Sequence, residues 1–313
     1  MTHPVRYYAD EDLAALGVTA TQAADAIEAA LREKAAGRLW TAPKAALLPG
    51  DGRYMMTTLS AADSPGLTVV KSVMVSPRNP ARGMPGIDGA VLLQDSETGA
   101  VRAVMDAKWI TALRTAALSL VAARRLADPA ARSIAFIGCG VQARSHLDAF
   151  AEAFALTEIR AYGRGAANLN RLCEHAAAKG MTAHRAATAE DAIRGADLVV
   201  TSVTLDYTLA PFLDAAWLKP GAFAAITDLA LPWAAESLRA VETIIVDDLQ
   251  QEAAAEKKMI PGAAIAADLA ALALSKAAPR FDPARRAAFV FRGIAIGDFA
   301  VAALALERAE AAG

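Results

Sequence analysis

Three features in this sequence could do chemistry: a glycine turn, two cations in apolar surroundings, and a carboxylate at a strand end. In SIAFIGCGVQARSH (133–146) an apolar run breaks at Gly138-Cys139-Gly140 and restarts with helical spacing through Ala143. A GxGxxA between a strand and a helix meets the needs of a dinucleotide cradle. The first glycine turns the chain, the second lets backbone approach a pyrophosphate, and the small third residue lets helix pack on strand. The helix start offers N–H groups and partial positive charge, so Val141 and Gln142 join Gly138, Gly140 and Ala143 as candidate cofactor contacts. The next strand ends in AYGRGAAN, with Gly163 where an acid would accept from a ribose 2′-hydroxyl. Arg164 follows, a fork suited to a 2′-phosphate, and the pair favours NADP(H) over NAD(H). Thr201 and Ser202, closing DLVVTSVT, and Thr115 complete the candidate cofactor set.

Lys71 in LTVVKSVMV and Arg114 in ITALRTAA sit among apolar neighbours. Charges there need partners, and a planar guanidinium suits a carboxylate. The plainer readings are an edge-strand lysine facing water and a structural salt bridge. Asp228 ends the strand-like AFAAITD. Carboxyl ends of strands face the ligand crevice in such domains, and burial there raises a carboxyl into the acid/base range. A turn aspartate is the alternative.

The elements that must position these residues follow from periodicity. Residues 10–37 have helical spacing with Gly37 as C-cap; 38–106 read as successive antiparallel strands, RLWTAPKAALL, RYMMTTLS, LTVVKSVMV, AVLLQD and AVRAVMD, the last two joined by SETG; 110–127 are helical again. From 133 strands alternate with helices, which predicts a parallel sheet covered on both faces, with a domain boundary near 115–130. The fold class expected is α/β: a Rossmann doubly wound parallel sheet plus an α+β domain.

Composition narrows the function. With 313 residues, Lys+Arg 32 against Asp+Glu 34, and 55% hydrophobic residues, the chain has a large core and no field for a polyanion. Nucleic acid is therefore not expected, and a small molecule is. Cys139 and Cys173 lack a zinc pattern, since His175 lies two residues from Cys173 on another helix face. No apolar run spans a membrane and the first residues carry early acids, which predicts a reduced, cytoplasmic protein.

SIAFIGCGVQA, MDAKWITALRTAALSL and VVKSVMVSPRNPARGMPG together resemble the ornithine cyclodeaminase/mu-crystallin family, and the likeness continues through LLQDSETGAV, TIIVDDL and FRGIAIGDFAVAALALERA. The resemblance implies a homodimeric enzyme of two domains. Residues 1–118 plus about 295–313 would bind substrate and dimerise, and 119–294 would be the Rossmann NAD(P)-binding domain. It also implies that Lys71 and Arg114 hold a substrate carboxylate. A further family arginine falls on Lys44 of TAPK, matching by charge alone. The family's acid/base aspartate lies in a GADxPGK-like segment, where this chain has TDLALPW. Aligning the prolines puts Ala230 at that position and Asp228 two residues earlier. The implied chemistry is hydride exchange at the α-carbon of an amino or imino acid, with Lys71 and Asp228 as catalytic groups. Arg164 and the displaced Asp228 rank an imine (ketimine or pyrroline-2-carboxylate) reductase or amino-acid dehydrogenase first. Ornithine cyclodeaminase, converting L-ornithine to L-proline and ammonia with bound NAD, comes next, and a non-catalytic nucleotide-binding dimer last.

Overall fold

The computed structural model describes residues 5–312. The chain divides into two units, one formed by the residues up to Arg114 together with those from Ile294, the other by Thr115–Gly293. The first unit contains β1 (Arg6–Tyr8), α1 (Asp10–Ala15), α2 (Ala20–Ala35), β2 (Leu39–Thr41), β3 (Ala45–Leu47), β4 (Tyr54–Ala62), β5 (Leu67–Val75), β6 (Ile87–Asp95), β7 (Val101–Asp106) and the start of α3 (Ala107–Leu126). The helical stretch expected over 10–37 is two helices. Gly17 takes φ +64, and Thr19 then starts α2 by accepting from the Gln22 N–H at 3.1 Å while the Gln22 side chain accepts from the Thr19 N–H at 3.1 Å. RLWTAPKAALL is likewise two strands, β2 and β3, both paired with β4, because Pro43 between them has no N–H to give.

The sheet order is β1-β7-β6-β5-β4-β2, with β3 also on β4, and β1 runs parallel to β7 while the other pairs are antiparallel. Three residues carry too little periodicity for β1 to be read from the sequence. Strand alternation gives the sheet two faces. Leu67, Val69, Lys71 and Val73 of β5 are buried with Thr58, Ser60 and Ala62 of β4. The closing helix α9 (Ala295–Ala312) packs against β4 and β5. On the opposite face Leu59, Val70, Leu92, Val104 and Tyr7 form one cross-strand row.

In the second unit β8 (Ser133–Ile137), α4 (Val141–Ala153), β9 (Glu158–Tyr162), α5 (Ala166–Ala178), β10 (Thr182–Arg185), α6 (Ala189–Ile193) and β11 (Leu198–Thr201) alternate as the sequence predicts. They are followed by β12 (Phe223–Ile226), β13 (Thr243–Val246), α7 (Leu249–Ala254), β14 (Ala267–Asp268), α8 (Leu269–Leu274) and β15 (Ala287–Val290). The order is β10-β9-β8-β11-β12-β15-β13-β14 and every pair is parallel. Strands such as SIAFI and TIIV are apolar at nearly every position because both faces are covered. Strand order reverses between β8 and β11, which makes their carboxyl ends the place for a ligand.

At that point Gly138 takes φ +90, and a Cβ on it would lie 2.6 Å from the Ser202 carbonyl oxygen. Nearby, α3 and α4 are tied by a buried polar pair: Ser119 Oγ lies 2.9 Å from His146 Nε2, and His146 Nδ1 lies 2.7 Å from the Gln142 carbonyl oxygen. A carbonyl only accepts, so Nδ1 carries the proton and Nε2 accepts from the serine. Burial pushes the imidazole pKa down to about 4.

Gly138→Ala should lower stability by more than about 2 kcal/mol, since strained backbone and a backbone clash combine; a urea titration checks this. Because the folded-state pKa of His146 lies below its ordinary value, its contribution is present above about pH 6.5 and is lost as pH falls toward 4. The stability gap between wild type and His146→Gln should widen from pH 4 to 6.5 and then stay level, by up to roughly 3 kcal/mol. A gap that is constant across this range in calorimetry would contradict a neutral buried imidazole.

Candidate active site

The second unit gathers most of the expected cofactor contacts at the carboxyl ends of β8, β9 and β11. The Gly138 N–H donates to the Tyr162 carbonyl oxygen at 2.9 Å, and the Ser202 hydroxyl donates to the Gly138 carbonyl oxygen at 3.3 Å. Gly163 abuts the turn, since a Cβ there would meet Cys139 Sγ at 3.0 Å. Gly140 is the N-cap of α4 and supplies no side-chain cap, and a Cβ on it would meet nothing within 4 Å. No packing demand therefore accounts for this glycine, and the first-turn N–H groups have no side-chain acceptor at the cap. That open, uncapped helix start fits a pyrophosphate. Val141 beside it is 58% exposed, whereas Ala143 is buried against the sheet. Arg164 is exposed just past β9. Asp206 lies within its electrostatic reach, and that carboxyl is held below its usual range first by Thr208 and also by Arg164. Thr201 is turned inward: its hydroxyl donates to Asp228 Oδ1 at 3.1 Å and accepts from Trp233 Nε1 at 3.3 Å. Thr115 lies four residues before Ser119 on α3, its carbonyl oxygen 3.3 Å from Ser119 Oγ. Burial pushes the Cys139 thiol up to about 12, which removes it as a nucleophile.

Asp228 follows β12 and is buried. Beside the bond to Thr201, its Oδ2 accepts from the Val203 N–H at 3.1 Å. Desolvation nonetheless pushes its carboxyl up to about 7. The next two residues, Leu229 at φ 58 and Ala230 at φ 57, are left-handed, a conformation that costs a non-glycine residue about 1–2 kcal/mol.

The first unit holds a cluster of charge. Lys71, fully buried on β5, donates to Asp298 Oδ1 at 2.6 Å, and Arg114 Nε lies 3.2 Å from the same oxygen. Thr58 on β4 donates to Asp298 Oδ2 at 2.9 Å. Desolvation, followed by Arg114, pushes Lys71 down to about 8, with Asp298 opposing both. The Asp298 carboxyl is itself held low by the two cations against its burial. Arg114 is buried as well; its Nε has only the ionic contact with Asp298, and its Nη1 makes no hydrogen bond. Buried donors without acceptors are costly and mark a place for an oxygen ligand. Lys44 lies in the segment before β3, its Nζ 6.0 Å from the Tyr54 ring centre, and its charge is felt at Lys71. Sequence reasoning missed Asp298. The signal was there, one acid inside the apolar run GIAIGDFAVAALAL.

Elsewhere, His175 Nε2 lies 2.7 Å from Asp148 Oδ1, and among the described residues no group of three His, Cys, Asp or Glu could hold a metal. Among them too, no helix is long and apolar enough to cross a membrane.

Alanine dehydrogenase of Archaeoglobus fulgidus is 31% identical over 239 residues, 75% of this chain and 71% of that one. Ketimine reductase mu-crystallin of Mus musculus is 35% identical over 139 residues, 44% of this chain, and the match spans only 42% of that protein. The structure of Thermococcus litoralis Δ1-pyrroline-2-carboxylate reductase, in complex with NADH and L-proline, has the same fold, with a TM-score of 0.88 at 23% identity over 99% of this chain and 98% of that one. Residues 11–313 match the model of one family, and the chain belongs to it: the ornithine cyclodeaminase/mu-crystallin family.

Proposed function

We propose that this chain is an NAD(P)-dependent oxidoreductase that transfers hydride at the α-carbon of an amino acid or cyclic imino acid, acting as an imine reductase or amino-acid dehydrogenase with NADP(H) preferred. The observation that carries this reading is Arg114, a buried guanidinium whose Nη1 makes no hydrogen bond, beside the Lys71 ammonium. A carboxylate is the ligand that meets such a fork. An alanine dehydrogenase and a ketimine reductase among the relatives support the class of reaction.

Lys71 and Arg114, with Lys44 as a third cation, would neutralise the carboxylate and hold the α-carbon in place. The Gly138–Gly140 turn and the uncapped start of α4 would hold the pyrophosphate of a nicotinamide dinucleotide, and Arg164 its 2′-phosphate. Nicotinamide, when bound, supplies the hydride. Reduction of a C=N bond places hydride on carbon and requires one proton on nitrogen. Lys71, at about 8, and Asp228, at about 7, are the two groups whose ordinary charge state burial has moved toward neutrality, where proton exchange is most effective. With Ala230 where the family's aspartate would stand, reduction fits these residues better than a full cyclodeaminase cycle. We also propose that the first unit forms a homodimer through the sheet face that carries Leu59, Val70, Leu92, Val104 and Tyr7. Tyr7 is 59% and Leu59 42% exposed there, a liability for an uncovered sheet face.

A panel of cyclic imino acids, and of 2-oxo acids with ammonia, should oxidise NADPH faster than NADH. Silence across the panel despite tight cofactor binding would leave a nucleotide-binding protein without turnover. Arg114→Ala should lower kcat/KM by about 100-fold, the scale for losing a charged hydrogen-bond partner; an unchanged value would remove Arg114 from the site. Arg164→Ala should weaken NADPH about tenfold or more and leave NADH unaffected. Equal loss of both in a fluorescence titration would place Arg164 away from the 2′-phosphate.

A further inference from the structure

We propose that Asp298 is a positioning residue of the carboxylate pocket: reaching in from α9, it cancels one of the two positive charges that Lys71 and Arg114 bring and leaves the pocket matched to a single substrate carboxylate. This rests on the carboxylate-binding reading of Arg114 given above.

Three observations carry it. One oxygen, Oδ1, serves both cations, with Lys71 Nζ at 2.6 Å and Arg114 Nε at 3.2 Å. Two like charges are thereby held around a single point. The other oxygen is fixed by the Thr58 hydroxyl at 2.9 Å, so the carboxylate cannot rotate away. A donor remains unfilled: Arg114 Nη1 is buried and makes no hydrogen bond, while the Lys71 ammonium, with three N–H donors, gives one to Asp298. The charges facing Lys71 are Asp298 from α9, Arg114 from α3 and Lys44 from the segment before β3, with the neutral Thr58 hydroxyl on β4 close by. In the inner cluster two cations against one anion leave one positive charge. One carboxylate completes it, and a second would have only the more distant Lys44.

The same geometry controls protonation. Burial and Arg114 both drive the proton off Lys71, and among these groups Asp298 alone opposes them. Without Asp298, Lys71 would lose its charge well below pH 8, and the pocket would lose its second cation under ordinary conditions.

The test titrates Lys71 directly by NMR in protein carrying 13Cε-lysine, assigned with Lys71→Met, and follows KM for an imino-acid substrate from pH 6 to 10. In wild type, Lys71 should stay protonated through neutrality, with its midpoint near 8 and KM rising above it. In Asp298→Asn the midpoint should fall by about one pH unit or more, a tenfold loss of proton affinity, and the KM limb should move down with it. A merely structural role would instead raise KM by one factor at every pH and leave the Lys71 midpoint in place, which would overturn the proposal. Should Asp298→Asn not fold, two arms still decide. A wild-type Lys71 midpoint below neutrality overturns the proposal, and Asp298→Glu, which keeps the charge, must hold the midpoint near its wild-type value. Failure of the carboxylate reading looks different: Arg114→Ala would leave KM unchanged while the Lys71 midpoint still responded to Asp298.

Discussion

The first unit depends on one electrostatic constraint: a lysine and an arginine enclosed in apolar surroundings require an anion. Removing one partner from such a group leaves an uncompensated buried charge, which costs about 3–5 kcal/mol. Here the anion is Asp298, 227 positions after Lys71 and on the last helix. The sheet face built by β4 and β5, the start of α3 and the closing helix are therefore held by a single carboxylate, whose second oxygen is taken by Thr58. The β5 alternation that buries Leu67, Val69 and Val73 also buries Lys71. A one-residue register slip would carry it to the opposite face.

In the second unit the governing constraint is steric. The turn after β8 approaches the backbone after β11 so closely that residue 138 has no room for a side chain. Two adjacent parallel strands then end side by side, and α4 begins with its N–H groups directed outward. Asp228 belongs to the same end of the sheet, joined through Thr201 to β11 and through Val203 to the segment beyond it. Its carboxyl thus orders the ends of two strands at once, and its burial brings its protonation close to neutrality.

Much of this was legible in the sequence where the demand was local. A left-handed turn with a close neighbour must be glycine, so Gly138 announces itself, and the strand and helix around it carry opposite periodicities. Lys71 and Arg114 stand out because their immediate neighbours are apolar. Asp298 was equally conspicuous by that criterion in GIAIGDFAVA, but its partners lie far away along the chain and a lone acid reads first as a helix-surface residue. β1 was hidden because three residues cannot show alternation. RLWTAPKAALL has the propensity of one strand, and only the missing N–H of Pro43 separates β2 from β3. Thr201 was singled out by its strand-end position, and nothing in its neighbours revealed that its hydroxyl turns inward to Asp228 and Trp233. Arg164 was legible as a charge in a loop, and its electrostatic neighbour Asp206 was not, since the two approach only when β9 and β11 are in place.

Arg114 lies on α3, the helix that begins directly after β7. A helix advances about 100° per residue. One residue inserted or lost between the end of β7 and Arg114 would swing the guanidinium by that angle away from the Asp298 oxygen it shares with Lys71. Sequence divergence can therefore alter the exposed side chains in this first stretch of α3 but not its count. In this protein the stretch from the end of β7 to Arg114 is a ruler, and its length is as much a part of the charge cluster as the residues that form it.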